Sequence, residues 1–128
     1  GDYDDDGDVD LLFTNLDAPP TLLRNDSERR GTWLTVVCRA RPGEGPSVGT
    51  RVTVEAGGRR FVRDLSSGGS FLSVHDPRLH FGLGAAGAAS SVTVRWPGGE
   101  SEMYENLQGG RYYRLVQGAG SPIALPEG

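Results

Sequence analysis

Apolar and polar residues alternate along most of this chain, and short runs rich in glycine, proline, asparagine or aspartate interrupt the alternation. Successive side chains of a strand point to opposite faces, so this pattern marks strands with one covered face. Residues 33–40 are the longest example. Leu34, Val36, Cys38 and Ala40 fall on one face and Trp33, Thr35, Val37 and Arg39 on the other, which predicts a half-buried strand. Residues 51–55 alternate again, Ala56-Gly57-Gly58 supplies a tight turn, and residues 60–65 return as the second arm of a hairpin. Leu79, Phe81 and Leu83 share a face, residues 91–96 and 102–107 flank a Pro97-Gly98-Gly99 turn, and residues 112–116 form a last strand. Near the start, residues 11–14 and 21–24 read as two short strands separated by an Ala18-Pro19-Pro20 break. Residues 84–91 read as a loop whose alanines support one helical turn, and residues 117–128 as a frayed tail.

No window offers three turns of 3.6-residue periodicity with caps, so the expected fold is an all-β sandwich of six or seven short strands. Its core should hold Leu34, Val36, Val52, Val54, Phe61, Leu79, Phe81, Val92, Val94 and Leu115. Residues 25–31 carry no apolar side chain and place a domain boundary between residues 1–30 and 31–117, with 118–128 as the tail. A chain of 128 residues has room for one core plus a short appendage, and 20 glycines and 8 prolines suit frequent turns.

Charge changes the picture at one end only. Asp2, Asp4, Asp5, Asp6, Asp8 and Asp10 lie in the first ten positions, while all 13 basic residues lie beyond them against the other 11 acidic ones. A dense anionic segment on a nearly neutral body points to a cation as partner and away from a nucleic-acid backbone. Cys38 is the single cysteine, set in an apolar run and read as a buried hydrophobe. No stretch is apolar for long enough to insert in a membrane. The chain starts at Gly1 without Met, inside a motif, and reads as a fragment of a longer protein.

Residues 2–10 fit the pattern D-x-D-x-D-G-x-x-D. Calcium takes six to eight oxygens at about 2.3–2.6 Å, and a tight loop brings alternate carboxylates to one point while glycine supplies the sharp turn. The expected ligands are the carboxylates of Asp2, Asp4, Asp6 and Asp10 and the main-chain carbonyl of Asp8. An EF-hand needs a bidentate Glu at its twelfth position, where this chain has Phe13, so the loop is of another type. Magnesium prefers to keep several waters, and zinc favours His or Cys ligands, which the loop does not offer. The plainer reading is a solvated acidic end, but that would not require glycine in the sixth place or a direct entry into Leu11-Leu12-Phe13.

With these residues in view, residues 1–26 resemble one repeat of the FG-GAP or VCBS type, closing on Leu22-Leu23-Arg24-Asn25-Asp26. Residues 33–116 resemble the ASPIC/UnbV domain, through Trp33-Leu34, Gly49-Thr50-Arg51-Val52, Gly68-Gly69-Ser70-Phe71-Leu72-Ser73, the run from Asp76 to Gly84, and Val94-Arg95-Trp96-Pro97-Gly98-Gly99. The resemblance implies an immunoglobulin- or transthyretin-like β-sandwich beside the remnant of a β-propeller blade. It also implies a calcium-bearing, non-catalytic scaffold or adhesion module, secreted or at a cell surface or in a periplasm. Its partners would be another protein or the neighbouring propeller blades.

Other chemistry is thinner. Ser70, His75 and Asp76 are triad residue types, but no G-x-S-x-G elbow accompanies them. His75 and His80 are expected as a turn residue and a strand-surface residue. Arg59, Arg60 and Arg63 beside Phe61 make a weak footprint for RNA on an acidic chain. Trp33, Trp96, Tyr104, Tyr112 and Tyr113 offer the aromatic faces of a carbohydrate-binding module, the alternative function, but such residues more often fill a core or seal an interface. Asn25-Asp26-Ser27 fits a glycosylation acceptor.

Overall fold

The computed structural model describes residues 1–28 and 31–126, and the elements among them are all strands. Residues 29 and 30, within the expected domain boundary, and the last two residues of the tail lie outside the described residues. β1 (Leu11–Asn15) and β2 (Ala18–Leu23) pair only with each other. The other strands form two four-stranded sheets. One runs in the order β10 (Ile123–Ala124), β9 (Arg111–Val116), β3 (Thr32–Arg39), β6 (Leu79–Gly84), and the other β5 (Arg59–Asp64), β4 (Arg51–Ala56), β7 (Ala88–Arg95), β8 (Ser101–Gln108).

Both sheets turn their apolar side chains into one core. Leu34, Val36, Phe81 and Leu115 come from the first, Val52, Val54, Val92 and Val94 from the second, and Trp96 follows β7 into the same cluster. Each such side chain removed from water stabilises the fold by about 1.5–3 kcal/mol before chain entropy is counted. Every expected core residue is buried here except Phe61, which is partly buried on edge strand β5 with the Arg59 guanidinium 5.2 Å above its ring. Gly57 and Gly58 both have positive φ, as a two-residue hairpin turn between β4 and β5 requires.

Three sequence expectations need correction. Residues 18–20 do not break the first strand pair, because β2 runs through Pro19 and Pro20. A hairpin with open edges tolerates the missing N–H groups, and the Asn15 side chain donates to the Pro19 carbonyl at 2.7 Å and the Thr21 hydroxyl at 3.0 Å across the bulge. Residues 88–90 belong to β7 and not to a loop, with Ala89 fully buried; small side chains hid a strand that cross-strand pairing with β8 enforces. The tail is tied down in part, since β10 pairs with β9 and the Leu125 N–H donates to the Tyr112 carbonyl at 2.9 Å.

A fourth difference bears on function. β3 is covered on both faces, with Trp33 and Thr35 buried as well as Leu34 and Val36. It lies between β6, antiparallel, and β9, parallel. Leu34 and Val36 face the core, whereas Trp33 meets the acidic loop. Among the described residues no helix is long and apolar enough to cross a membrane.

Candidate metal site at the acidic loop

Residues 2–10 fold into a closed loop. Its ends are joined by the Asp10 N–H donating to the Gly1 carbonyl at 2.8 Å. Inside the loop the Asp2 carboxylate accepts the main-chain N–H of Asp6 at 3.1 Å and of Gly7 at 2.9 Å, and Asp6 accepts the N–H of Asp8 at 2.8 Å. Asp10 accepts from Tyr3 at 3.1 Å and from Asn25 at 2.8 Å, which fastens the end of the β1–β2 hairpin to the loop. Those two N–H donors hold the Asp10 carboxyl below its ordinary range. Asp2 and Asp10 are only 5% and 3% exposed. Two turns need special backbone: Asp5 has φ 57, which a short polar residue tolerates, and Gly7 has φ 93, which favours glycine.

The fold gathers oxygens from Asp2, Asp4 and Asp10, all within 4.8 Å of one another. Of the other expected ligands, Asp6 and Asp8 are half-buried and stand outside that group. Oxygens bound to one calcium ion at about 2.3–2.6 Å can be no more than about 5 Å apart, so the triad matches the span of a single ion. A carboxylate offers about four lone-pair sites. Asp2 spends three on Asp6, Gly7 and Tyr112, and Asp10 spends two, leaving capacity on each. Asp4 is exposed, and among the described residues its ion-pair partner is Arg24 at 3.9 Å. It is the least committed of the three.

The two-sheet unit holds this loop by residues that the acidic motif does not announce. The Tyr112 hydroxyl on β9 donates to Asp2, and Arg78 donates to the Asp2 carbonyl and the Asp5 carboxylate. Arg78 is also held by Asp76 at 2.7 Å, and its guanidinium lies 5.4 Å above the Tyr112 ring. Burial works against the Arg78 charge, but Asp5 and Asp76 outweigh it and raise the guanidinium above its ordinary value. Burial and the Asp2 bond push the Tyr112 hydroxyl up as well. Trp33 stacks against His80 at 5.9 Å and meets Tyr112 edge-on at 4.8 Å. Gly7 lies directly against the Trp33 indole, where a Cβ would overlap the ring. The expectation that some aromatics seal an interface describes Trp33 and Tyr112; Arg78 carried no such signal in the sequence.

The remaining candidates do not assemble. Ser70 and His75 are exposed and Asp76 is occupied by Arg78, with no hydrogen bond among the three in the described residues. The five aromatics considered for carbohydrate stacking are all buried, at 1–8% exposure. His80 is not a plain surface residue: it accepts or donates at Nδ1 with the Thr35 hydroxyl at 3.0 Å and lines a cavity of about 290 Å³ with Asp2 and Arg63. Cys38 is buried, which pushes its thiol up to about 12 and leaves it inert at neutral pH.

Residues 41–122 match the family described as ASPIC and UnbV. The chain is 32% identical to human cartilage acidic protein 1 over 102 residues, covering 77% of this chain and 15% of that protein. The mouse protein of that name is also 32% identical, and the one from Xenopus tropicalis 28%, each over 77% of this chain and 16% of theirs. The chain thus spans about one sixth of the length of these curated relatives. The matched segment takes in β4 to β9 and most of the core, and on that ground the chain belongs to the ASPIC and UnbV family.

Proposed function

We propose that this chain is a calcium-binding, non-catalytic module of an extracellular protein, serving as a scaffold or adhesion unit. The observation that carries this reading is the convergence of Asp2, Asp4 and Asp10 on one point within a loop closed by its own hydrogen bonds. An all-oxygen donor set suits a hard cation, and Asp6 and the Asp8 carbonyl are the groups that complete the shell. Bound calcium supplies positive charge among carboxylates that otherwise repel. The family membership adds no catalytic residue, and the relatives' printed name, with its reference to cartilage, supports an extracellular setting.

In the same reading residues 1–26 are part of an FG-GAP or VCBS repeat and the two-sheet unit is an immunoglobulin- or transthyretin-like sandwich. The β1–β2 hairpin supports the first point, because its apolar side chains Leu11, Leu12, Phe13, Leu22 and Leu23 are exposed and suit the neighbouring blades of a propeller or a protein partner. The carbohydrate alternative has lost the aromatic surface on which it stood.

Calorimetric titration of the chain and of Asp4→Ala with Ca²⁺ and with Mg²⁺ tests the proposal. The expected result is selective calcium binding with Kd near roughly 10⁻⁴–10⁻³ M, the range of extracellular modules, lost in the variant. Equal, salt-screened binding of both ions, unchanged in Asp4→Ala, would reduce the loop to an ordinary acidic segment.

A further inference from the structure

The acidic loop reaches the two-sheet unit through contacts that involve none of its spare ligand capacity. Gly7 rests on Trp33, the Asp2 carboxylate takes the Tyr112 hydroxyl, and the Asp2 carbonyl and Asp5 carboxylate take Arg78. The three receiving side chains come from separate places in the sequence, on β3, on the segment before β6 and on β9. They nevertheless form one continuous surface, with Trp33 edge-on to Tyr112 and Arg78 over the Tyr112 ring. Trp33 and Tyr112 are buried and Arg78 half-buried, and the surface is not a by-product of the core, since Trp33 and Tyr112 stand apart from the core cluster.

The contacts also act on the geometry of the proposed ligands. Asp2 is held at its side chain by Tyr112 and at its carbonyl by Arg78, so both ends of one ligand residue are fixed from outside the loop. Asp5, next to Asp4, is paired with Arg78 and stands outside the Asp2, Asp4 and Asp10 group. Four or more carboxylates on a free loop would splay by repulsion; a loop already clamped at three points has less to lose on ordering.

From this we infer that Trp33, Arg78 and Tyr112 are positioning residues for the acidic loop, so that docking of the loop on the sandwich and cation binding in the loop are one linked equilibrium. The inference rests on the reading of the loop as a calcium site. Linkage is reciprocal: docking raises calcium affinity by the same factor by which calcium strengthens docking, so a loss of docking weakens calcium binding. The function of the module then includes fixing the direction in which the β1–β2 hairpin leaves the sandwich, because Asn25 ties the hairpin to Asp10 of the same loop.

Two variants separate the possibilities without removing a carboxylate. Gly7→Ala places a Cβ on the Trp33 ring at a backbone angle that disfavours alanine, and Tyr112→Phe keeps the ring while deleting the bond to Asp2. Calcium titration and amide hydrogen exchange are measured on the whole chain and on both variants, the exchange in chelator and again in Ca²⁺. The expected result is at least a tenfold loss of calcium affinity in Gly7→Ala and a smaller, several-fold loss in Tyr112→Phe. The Asp6, Gly7 and Asn25 amides should exchange faster in the same order, with β4 and β7 amides unchanged. Calcium affinity equal to the parent's in both variants would overturn the linkage while leaving the calcium site standing. A parent chain that binds no calcium would instead overturn the site reading, and the linkage with it.

Discussion

The β1–β2 hairpin and strand β4 both carry apolar runs and have opposite fates. Leu11-Leu12-Phe13 is at least as apolar as Val52-Thr53-Val54, yet every residue of β1 and β2 is exposed, with Leu12 at 68%, while Val52 and Val54 are fully buried. The difference lies in what lies opposite. Val52 and Val54 face Leu34, Phe81 and Leu115 across the sandwich and pair with β7 at their side. β1 and β2 have only each other, and an isolated two-stranded hairpin is marginal in water. What keeps it placed is polar: the Asn25 N–H on Asp10, and Arg24 against Asp26 at 2.6 Å and Asp4 at 3.9 Å. One region is held by burial and the other by the acidic loop.

Removing one aromatic ring from the core and one from the hairpin should expose that contrast most strongly. Phe81→Ala, in the core, is expected to cost about 3–5 kcal/mol in chemical denaturation; a loss under about 1 kcal/mol would mean that the core relaxes around the gap. Acidification should have a smaller effect and act at the seam between the regions. Burial lowers the His80 pKa below 6.5, with Arg63 acting in the same direction and Asp2 and Asp8 against it. A depressed folded-state value means that the stabilising contribution is complete above pH 6.5 and is lost as pH falls below it. The thermal midpoint should therefore drop between pH 7.5 and 5.5, and drop less in His80→Phe, which keeps a ring against Trp33; identical losses would remove His80 from the account. Smallest of all should be Phe13→Ala in the hairpin, within about 0.5 kcal/mol of the parent. A cost above about 1 kcal/mol there would show that the hairpin is covered, by a second copy or by the body of the chain.

The same contrast explains how far the sequence could be read. Alternation located β3, β4, β5, β6, β8 and β9 to within two residues, because successive strand side chains point to opposite faces and leave a period of two in the sequence. It did not show that the second face of β3 is covered by a loop far away in sequence, and it missed the start of β7, whose small side chains carry little β preference. At the site, the Asp–Gly spacing pointed to the carboxylates of Asp2, Asp4, Asp6 and Asp10 and the carbonyl of Asp8, and the structure brings carboxylate oxygens of Asp2, Asp4 and Asp10 within 4.8 Å of one another. Arg78 and Tyr112 were not legible as parts of the loop's surroundings, because their roles arise only when β9 pairs in parallel with β3 and brings Tyr112 beside Trp33. That pairing joins residues too distant in sequence for a local pattern to record.

The central claim is that a cation in the acidic loop stabilises the chain through its hold on the sandwich. Thermal unfolding of the chain in 10 mM Ca²⁺, in Mg²⁺ at matched ionic strength and in chelator, beside Asp4→Ala, tests it most directly. With Kd of roughly 10⁻⁴–10⁻³ M, that calcium concentration contributes about 1.4–2.7 kcal/mol, or a rise on the order of 5–10 °C in Tm for a domain of this size. The account predicts that rise in calcium only, and its disappearance in Asp4→Ala. The same Tm in all three solutions, or an equal rise in Mg²⁺ that survives Asp4→Ala, would contradict it.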